Sequence, residues 1–194
     1  MENEENWVEI KKPEFNMENE SYDIEPELII SDIINKHSKY LHTEKNMENL
    51  FGYDLNVYQK NYTGSSLKRY GYDLGYIECE HSHYERLDEP HLNYSFLRRK
   101  IHHYNRDTHT FTDTLKYKSE RTIYIIFNEN YELDDCYCAW IPQIPRFNLI
   151  DLGFEQEPYF NAVYRTPQTD GRIPVGIENC IKYMEDFFYN GDVE

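Results

Sequence analysis

The sequence predicts an α+β protein in which a mixed, layered sheet is packed by helices. Two stretches, one opening at Pro26 and one running from Glu178 to Tyr189, repeat apolar residues at helical spacing. Between them, Arg121 to Phe127 strings together β-branched and aromatic side chains, the pattern of a buried strand. The segments run in the order helix, short strands, helix, three strands, helix, which suits one layered sheet with helices against it.

Residues 1–26 are acidic and lack apolar periodicity, so they read as a tail, and residues 27–194 as a single α+β domain. In the first helix Leu28, Ile29, Ile33, Ile34 and Leu41 recur near helical spacing, with Ser31 and Asp32 on the other face. Pro26-Glu27 fits its first turn. Tyr53, Leu55 and Val57 alternate as in a strand, and Gly64-Ser65-Ser66 marks a loop. Tyr70 to Ile77 reads as a strand or an irregular sheet edge. Leu92, Phe96, Leu97, Ile101 and Tyr104 form an apolar stripe that predicts an amphipathic helix over Leu92 to Tyr104. Arg98-Arg99-Lys100 would lie on its solvated face. Asn105 to Thr114 is a loop or hairpin tip, and Asn128 to Asp135 a turn. Cys136 to Ile144 is a second strand, in which Pro142 marks a bulge or an edge. Phe160 to Arg165 is a third. Ile181, Met184, Glu185 and Phe188 set the period of the last helix.

A chain of 194 residues is long enough for a real hydrophobic core. No apolar run approaches the roughly 20 residues that span a bilayer, and the acidic start Met1-Glu2-Asn3-Glu4-Glu5 lacks the features of a signal peptide. The expected setting is cytoplasmic, with no membrane contact. Four cysteines are too few for a disulfide scaffold, so reduced thiols are expected. The net charge of −16 argues against direct attraction to nucleic acid and favours either simple solubility or a basic protein partner. The 19 tyrosines suit a wet core or an interface.

Several groupings are candidates for chemistry. Cys136 and Cys138 share a strand face, and Cys79, His81 and His83 would share another. Their spacing matches no standard zinc pattern, so no metal is expected. Cys138 is a candidate nucleophile if an arginine lowers its pKa, and Arg121 and Arg165 are the arginines nearest in strand order. Against this stands a core cysteine with arginines paired to the chain's 36 carboxylates. No phosphate-cradling GxxxxGK or GxGxxG pattern is present, and Asp134-Asp135 reads as a solvated turn.

Ser119 to Gly176 resembles the central part of the thymidylate synthase family and its pyrimidine hydroxymethylase relatives. Ser119-Glu120-Arg121 opens a strand that ends in Phe127-Asn128, where that family has Ser-Arg-Arg and Trp-Asn. Glu132-Leu133 precedes Cys138, and Gln143 follows five residues on. Arg165-Thr166 precedes Pro174. The resemblance implies a homodimer joined through the sheet and a bound pyrimidine nucleotide. Cys138 would add to C6 of the base, and methylenetetrahydrofolate would supply a one-carbon unit to C5. Arg121, Arg165 and Thr166 would hold the phosphate, Gln143 would line the nucleotide site, and Tyr70 would correspond to an active-site tyrosine. Glu120, Gln168 and Gly176 stand where the family has an arginine, an aspartate and the base-reading asparagine. The alternative reading takes up these substitutions: a catalytically inactive acidic factor or inhibitor, of viral or mobile-element origin, that engages a basic partner.

Overall fold

The computed structural model describes residues 25–47, 53–60, 74–82, 87, 93–105, 107–113, 121–151 and 162–190. The acidic tail, the Gly64-Ser65-Ser66 loop, Tyr70 and Ser119-Glu120 lie outside the described residues.

The first helix, α1, spans Pro26–His37, with Pro26 at its first turn. It ends where Ser38 turns to an extended conformation and its hydroxyl accepts the N–H of Leu41 at 2.8 Å. Leu41 therefore opens β1 (Leu41–Lys45) and is not part of the helical stripe. The carbonyls at the end of α1 are met by the Lys60 ammonium, which donates to Asn35 and, at 2.6 Å, to Ser38. A cation here also opposes the negative end of the helix dipole. Ser31 does not face solvent. It is buried, and its hydroxyl donates to the Thr43 carbonyl at 3.0 Å, tying α1 to β1.

The next strands are β2 (Leu55–Gln59) and β3 (Gly75–His81), followed by β4 (Asn93–Leu97), a 3-10 turn at Arg98–Lys100, and β5 (His102–Asn105). The amphipathic helix expected over Leu92 to Tyr104 does not form. Tyr94 and Phe96 also satisfy a two-residue period, and pairing decided between the two patterns: β4 lies antiparallel to a later strand, and Phe96 is wholly buried between sheets. Tertiary hydrogen bonding outweighs the weak local preference of such a short segment.

After β6 (Thr110–Asp113), which forms a hairpin with β5, come β7 (Thr122–Phe127) and β8 (Cys136–Trp140). The predicted strand through Ile144 stops at Trp140. Pro142 and Pro145 instead fall in a 3-10 turn, Ile141–Arg146, since proline supplies no N–H to a ladder. The chain then forms β9 (Asn148–Asp151), β10 (Ala162–Pro167) and α2 (Ile177–Asn190).

β1, β2, β3, β7 and β8 form a five-stranded sheet in that order, antiparallel except for the parallel β3–β7 pair. A second sheet has the order β4-β10-β9. The two faces of the larger sheet carry separate apolar cores. Ile123, Ile125, Phe127, Cys136 and Cys138 pack with Ile30 and Ile34 of α1 and with Ile177, Cys180, Ile181 and Met184 of α2. Tyr124, Ile126, Tyr137 and Ala139 pack with Phe96, Ile144 and Tyr164 on the side of the second sheet. The layers are thus helices, five-stranded sheet, smaller sheet. β7 is buried along its whole length because both of its faces are covered, which is why every residue after Thr122 is apolar or aromatic. Among the described residues no helix is long and apolar enough to cross a membrane.

Candidate functional site

Cys138 is fully buried on the helix-facing side of β8. Cys136 shares that face, as the two-residue period requires, and Cys180 of α2 closes over both. The Cys180 hydrogen bond and burial push the Cys136 thiol far above its ordinary pKa. Burial does the same for Cys79, reinforced by the Asp54 and Glu78 carboxylates. These thiols have the apolar setting of structural cysteines rather than the electropositive, part-exposed one of reactive cysteines. Among the described residues no group of His, Cys, Asp and Glu side chains is arranged to hold a metal ion.

The two arginines picked out beside Cys138 do not reach it. Arg121, just before β7, donates to the Leu74 carbonyl and, at 2.9 Å, to the Phe188 carbonyl near the end of α2. It fastens the helix C-terminus to the sheet, where a cation is favoured. Gly75 makes this contact possible: a Cβ there would lie 2.5 Å from both the Arg121 carbonyl and the Phe188 ring. Arg165 is on β10, in the second sheet, so the five-stranded sheet stands between it and Cys138. Gln143 sits half-buried on the 3-10 turn after β8. Tyr70 lies outside the described residues.

Arg165 and Thr166 do come together, in a cleft of about 340 Å³ lined also by Arg146, Asn148, Asp170 and Arg172. β10 places Arg165 opposite Ser95 of β4 and Asn148 of β9. The 3-10 turn delivers Arg146 to the same rim. The turn after β10, closed by the Asp170 N–H on the Pro167 carbonyl at 2.9 Å, brings Asp170 and Arg172 back over the strand end. Arg165 donates through Nε to the Ser95 hydroxyl at 3.1 Å. Among the described residues no carboxylate pairs with Arg146 or Arg165. Arg172 meets Asp170 in a two-pronged contact, Nε to Oδ1 at 2.9 Å and Nη2 to Oδ2 at 2.7 Å. Thr166 donates to the same Oδ2 at 2.5 Å. The Arg172 contact, aided by Thr166, holds the Asp170 carboxyl far below the usual carboxylate range. Three guanidinium groups around one carboxylate leave this cleft positive in a chain of net charge −16.

A second cleft, of about 280 Å³, has the opposite character. Glu132, Asp134, Asp135 and the rings of Tyr94 and Tyr137 line it, and among the described residues no basic side chain does. Asn128, fully buried, organises its floor by donating to Glu132 Oε2 at 2.8 Å and to Asp135 Oδ2 at 3.0 Å. The pair Asp134-Asp135 is thus part of a shaped cleft and not only a turn.

The third polar group is interior. Glu78 and Glu80 project from β3 on the face away from the helices. Glu78 is wholly buried and receives the Lys100 ammonium at 2.5 Å. Burial draws the Lys100 pKa down, but the Glu78, Asp54 and Glu80 carboxylates together outweigh it and carry the value to about 12. Burial pushes Glu80 up to about 7, against the pull of Lys100 and Arg99. The basic run Arg98-Arg99-Lys100 is therefore not a solvated helix face: Lys100 is committed to Glu78, and Arg98 lies over the Phe111 ring at 3.4 Å. Glu78 and Glu80 are two residues apart, which on a strand puts them on one face. That two-residue spacing is a signal legible in the sequence. Arg146, Asp170 and Arg172 carry no local spacing signal, because only the turns after β8 and β10 bring them together.

The chain matches no family model, and neither a curated protein nor a solved structure matches it.

Proposed function

We propose that the protein binds a phosphate-bearing ligand, a pyrimidine nucleotide in the first instance, in the cleft formed by Arg146, Arg165, Thr166 and Arg172. The observation that carries this reading is the pair of arginines, Arg146 and Arg165, facing one cleft with no carboxylate partner among the described residues. Planar guanidinium groups suit the tetrahedral oxygens of a phosphate. The volume lies within the range of small-molecule sites, about 300–1,000 Å³.

The choice of a pyrimidine nucleotide, and of a thymidylate-synthase-like fold, comes from the sequence resemblance, two of whose phosphate residues, Arg165 and Thr166, line the cleft. The proposal stops at binding. A one-carbon transfer from methylenetetrahydrofolate would need the Cys138 sulfur beside the base, and that thiol faces the helix layer. The residues present do not fit the folate-dependent reaction.

UMP is expected to raise the melting temperature of the protein, and Arg165→Ala to weaken UMP binding by about 10- to 100-fold, the worth of a charge-assisted hydrogen bond. Titration calorimetry of both proteins checks it. Equal affinities would remove the cleft from consideration.

A second reading is favoured by the acidic cleft. Three carboxylates beside the Tyr94 and Tyr137 rings, whose centroids are 4.9 Å apart, suit a guanidinium group of a basic protein partner. An arginine-rich peptide should then bind with an affinity that falls with added salt and with Asp134→Asn. Binding indifferent to both would end this reading.

A further inference from the structure

Asp170 occupies the arginine cleft in a way that bears on which anions it takes. Its carboxylate sits at the end of β10 with a side chain only 11% exposed. It engages both prongs of Arg172, the Thr166 hydroxyl and the Arg172 backbone N–H, the last at 3.1 Å. These donors are the ones a bound phosphate would otherwise use, since fork geometry serves carboxylate and phosphate alike. The carboxylate also stays ionised across the whole working pH range, because Arg172 and Thr166 hold its proton affinity down.

We infer that Asp170 is a built-in competing anion that makes the cleft select dianionic phosphate monoesters over monoanionic phosphodiesters and carboxylates. The inference rests on the phosphate-binding reading above.

An incoming ligand must either share Arg172 with Asp170 or displace it. A monoanion that displaces it exchanges one single negative charge for another and leaves Asp170 without its partner. A monoanion that binds beside it uses Arg146 and Arg165 alone and meets the repulsion of a fixed carboxylate. A terminal phosphate carries close to two charges above its second pKa of about 6. Its attraction to three guanidinium groups then exceeds what Asp170 contributes. Specificity here comes from a repulsive element placed within an attractive site. The position also explains how three arginines can crowd one rim in the ligand-free protein, since Asp170 supplies the negative charge that keeps Arg172 in place.

The test compares UMP with 3′,5′-cyclic UMP, whose phosphate is a monoanionic diester, by titration calorimetry on the full chain. The wild-type protein is expected to prefer UMP by about tenfold or more, and Asp170→Asn to shrink that preference to about threefold or less by tightening the diester. An Asp170→Asn protein that folds, as judged by its melting curve, and keeps the wild-type preference overturns the inference. Should that variant fail to fold, the wild type alone decides. Its UMP affinity should fall about tenfold between about pH 7.5 and about pH 5, as the phosphate becomes a monoanion. A flat profile, or equal affinity for the two nucleotides, overturns the role of Asp170. The Arg165→Ala arm separates the two levels. If that variant binds UMP like wild type, the cleft itself is not the site. If it binds weakly while the wild type ignores the monoester–diester difference, only the selection by Asp170 fails.

Discussion

Replacing Lys100 by methionine is expected to cost about 3–5 kcal/mol of stability, the usual penalty for removing one partner of a buried ion pair. Glu78 is wholly shut off from solvent, and the Lys100 ammonium faces it at 2.5 Å. Without that ammonium the Glu78 carboxylate must either stay ionised in a low-dielectric interior or take up a proton. Both are unfavourable at neutral pH. The pair is not expected to be a net stabiliser relative to apolar residues of similar size, so Glu78→Met combined with Lys100→Met should recover much of the loss. Urea unfolding of the wild type, the two single variants and the double variant measures this. A double variant as unstable as Lys100→Met would show that the loss comes from elsewhere in the β3 face or the 3-10 turn.

Glu80 carries the second large effect, and it depends on pH. Its carboxyl titrates near 7 in the folded chain, against 4.5 for an ordinary glutamate, because burial disfavours the charged form. Below about pH 4.5 the carboxyl is protonated in both folded and unfolded chains, and the full contribution to stability is present. Between about pH 4.5 and about pH 7 the unfolded chain ionises while the folded chain keeps its proton, so stability falls as pH rises. Above about pH 7 the ionised group stays in place at a cost of at most about 3 kcal/mol, reduced by the partial exposure of the side chain. Glu80→Gln removes the titration. The variant is expected to match the wild type near pH 4.5, exceed its stability near pH 8, and show a flatter profile between. An unchanged slope in Glu80→Gln would assign the pH dependence to other groups.

Both effects arise in a polar seam that the residue pattern carried without announcing it. Glu78 and Glu80 share a strand face by spacing alone. Glu78's partner, however, is Lys100 of the 3-10 turn at Arg98–Lys100, where the sequence argued for a solvated helix. The apolar stripe over Leu92 to Tyr104 was compatible with both a helical and an extended period. Nothing within those residues revealed the partner strand, β10, that lies some 65 to 75 positions later and selects the extended form. By contrast, β7 was legible because a strand covered on both faces must be apolar at every position. The last helix was legible because α2 packs a single stripe, Ile177, Cys180, Ile181, Met184 and Phe188, against that strand's layer.

The candidate site divides in the same way. That Cys136 and Cys138 share a face follows from the two-residue period and holds in the fold. Which layer that face meets does not follow from the period. A one-residue shift in register would have turned Cys138 toward the second sheet and Arg165, whereas in the fold it packs under Cys180 of α2. Arg165 and Thr166 are candidates through the family resemblance, and both line the cleft. Arg146, Asp170 and Arg172, which complete the cleft, are not among those candidates, because they come from two turns whose approach is set by the antiparallel pairing of β10 with β9 and β4.

The sequence by itself determined the mixed α+β content, the terminal helices, the buried strand β7 and the strongly acidic charge. Each of these is written in local periodicity or in composition. The tertiary structure decided the rest: that the described residues form a five-stranded and a three-stranded sheet beside the β5–β6 hairpin, that Cys138 is sealed under a helix, and that three arginines share one cleft with Asp170. Those outcomes depend on contacts between residues far apart in the chain, whose free energies of burial and pairing exceed any preference a short segment expresses alone.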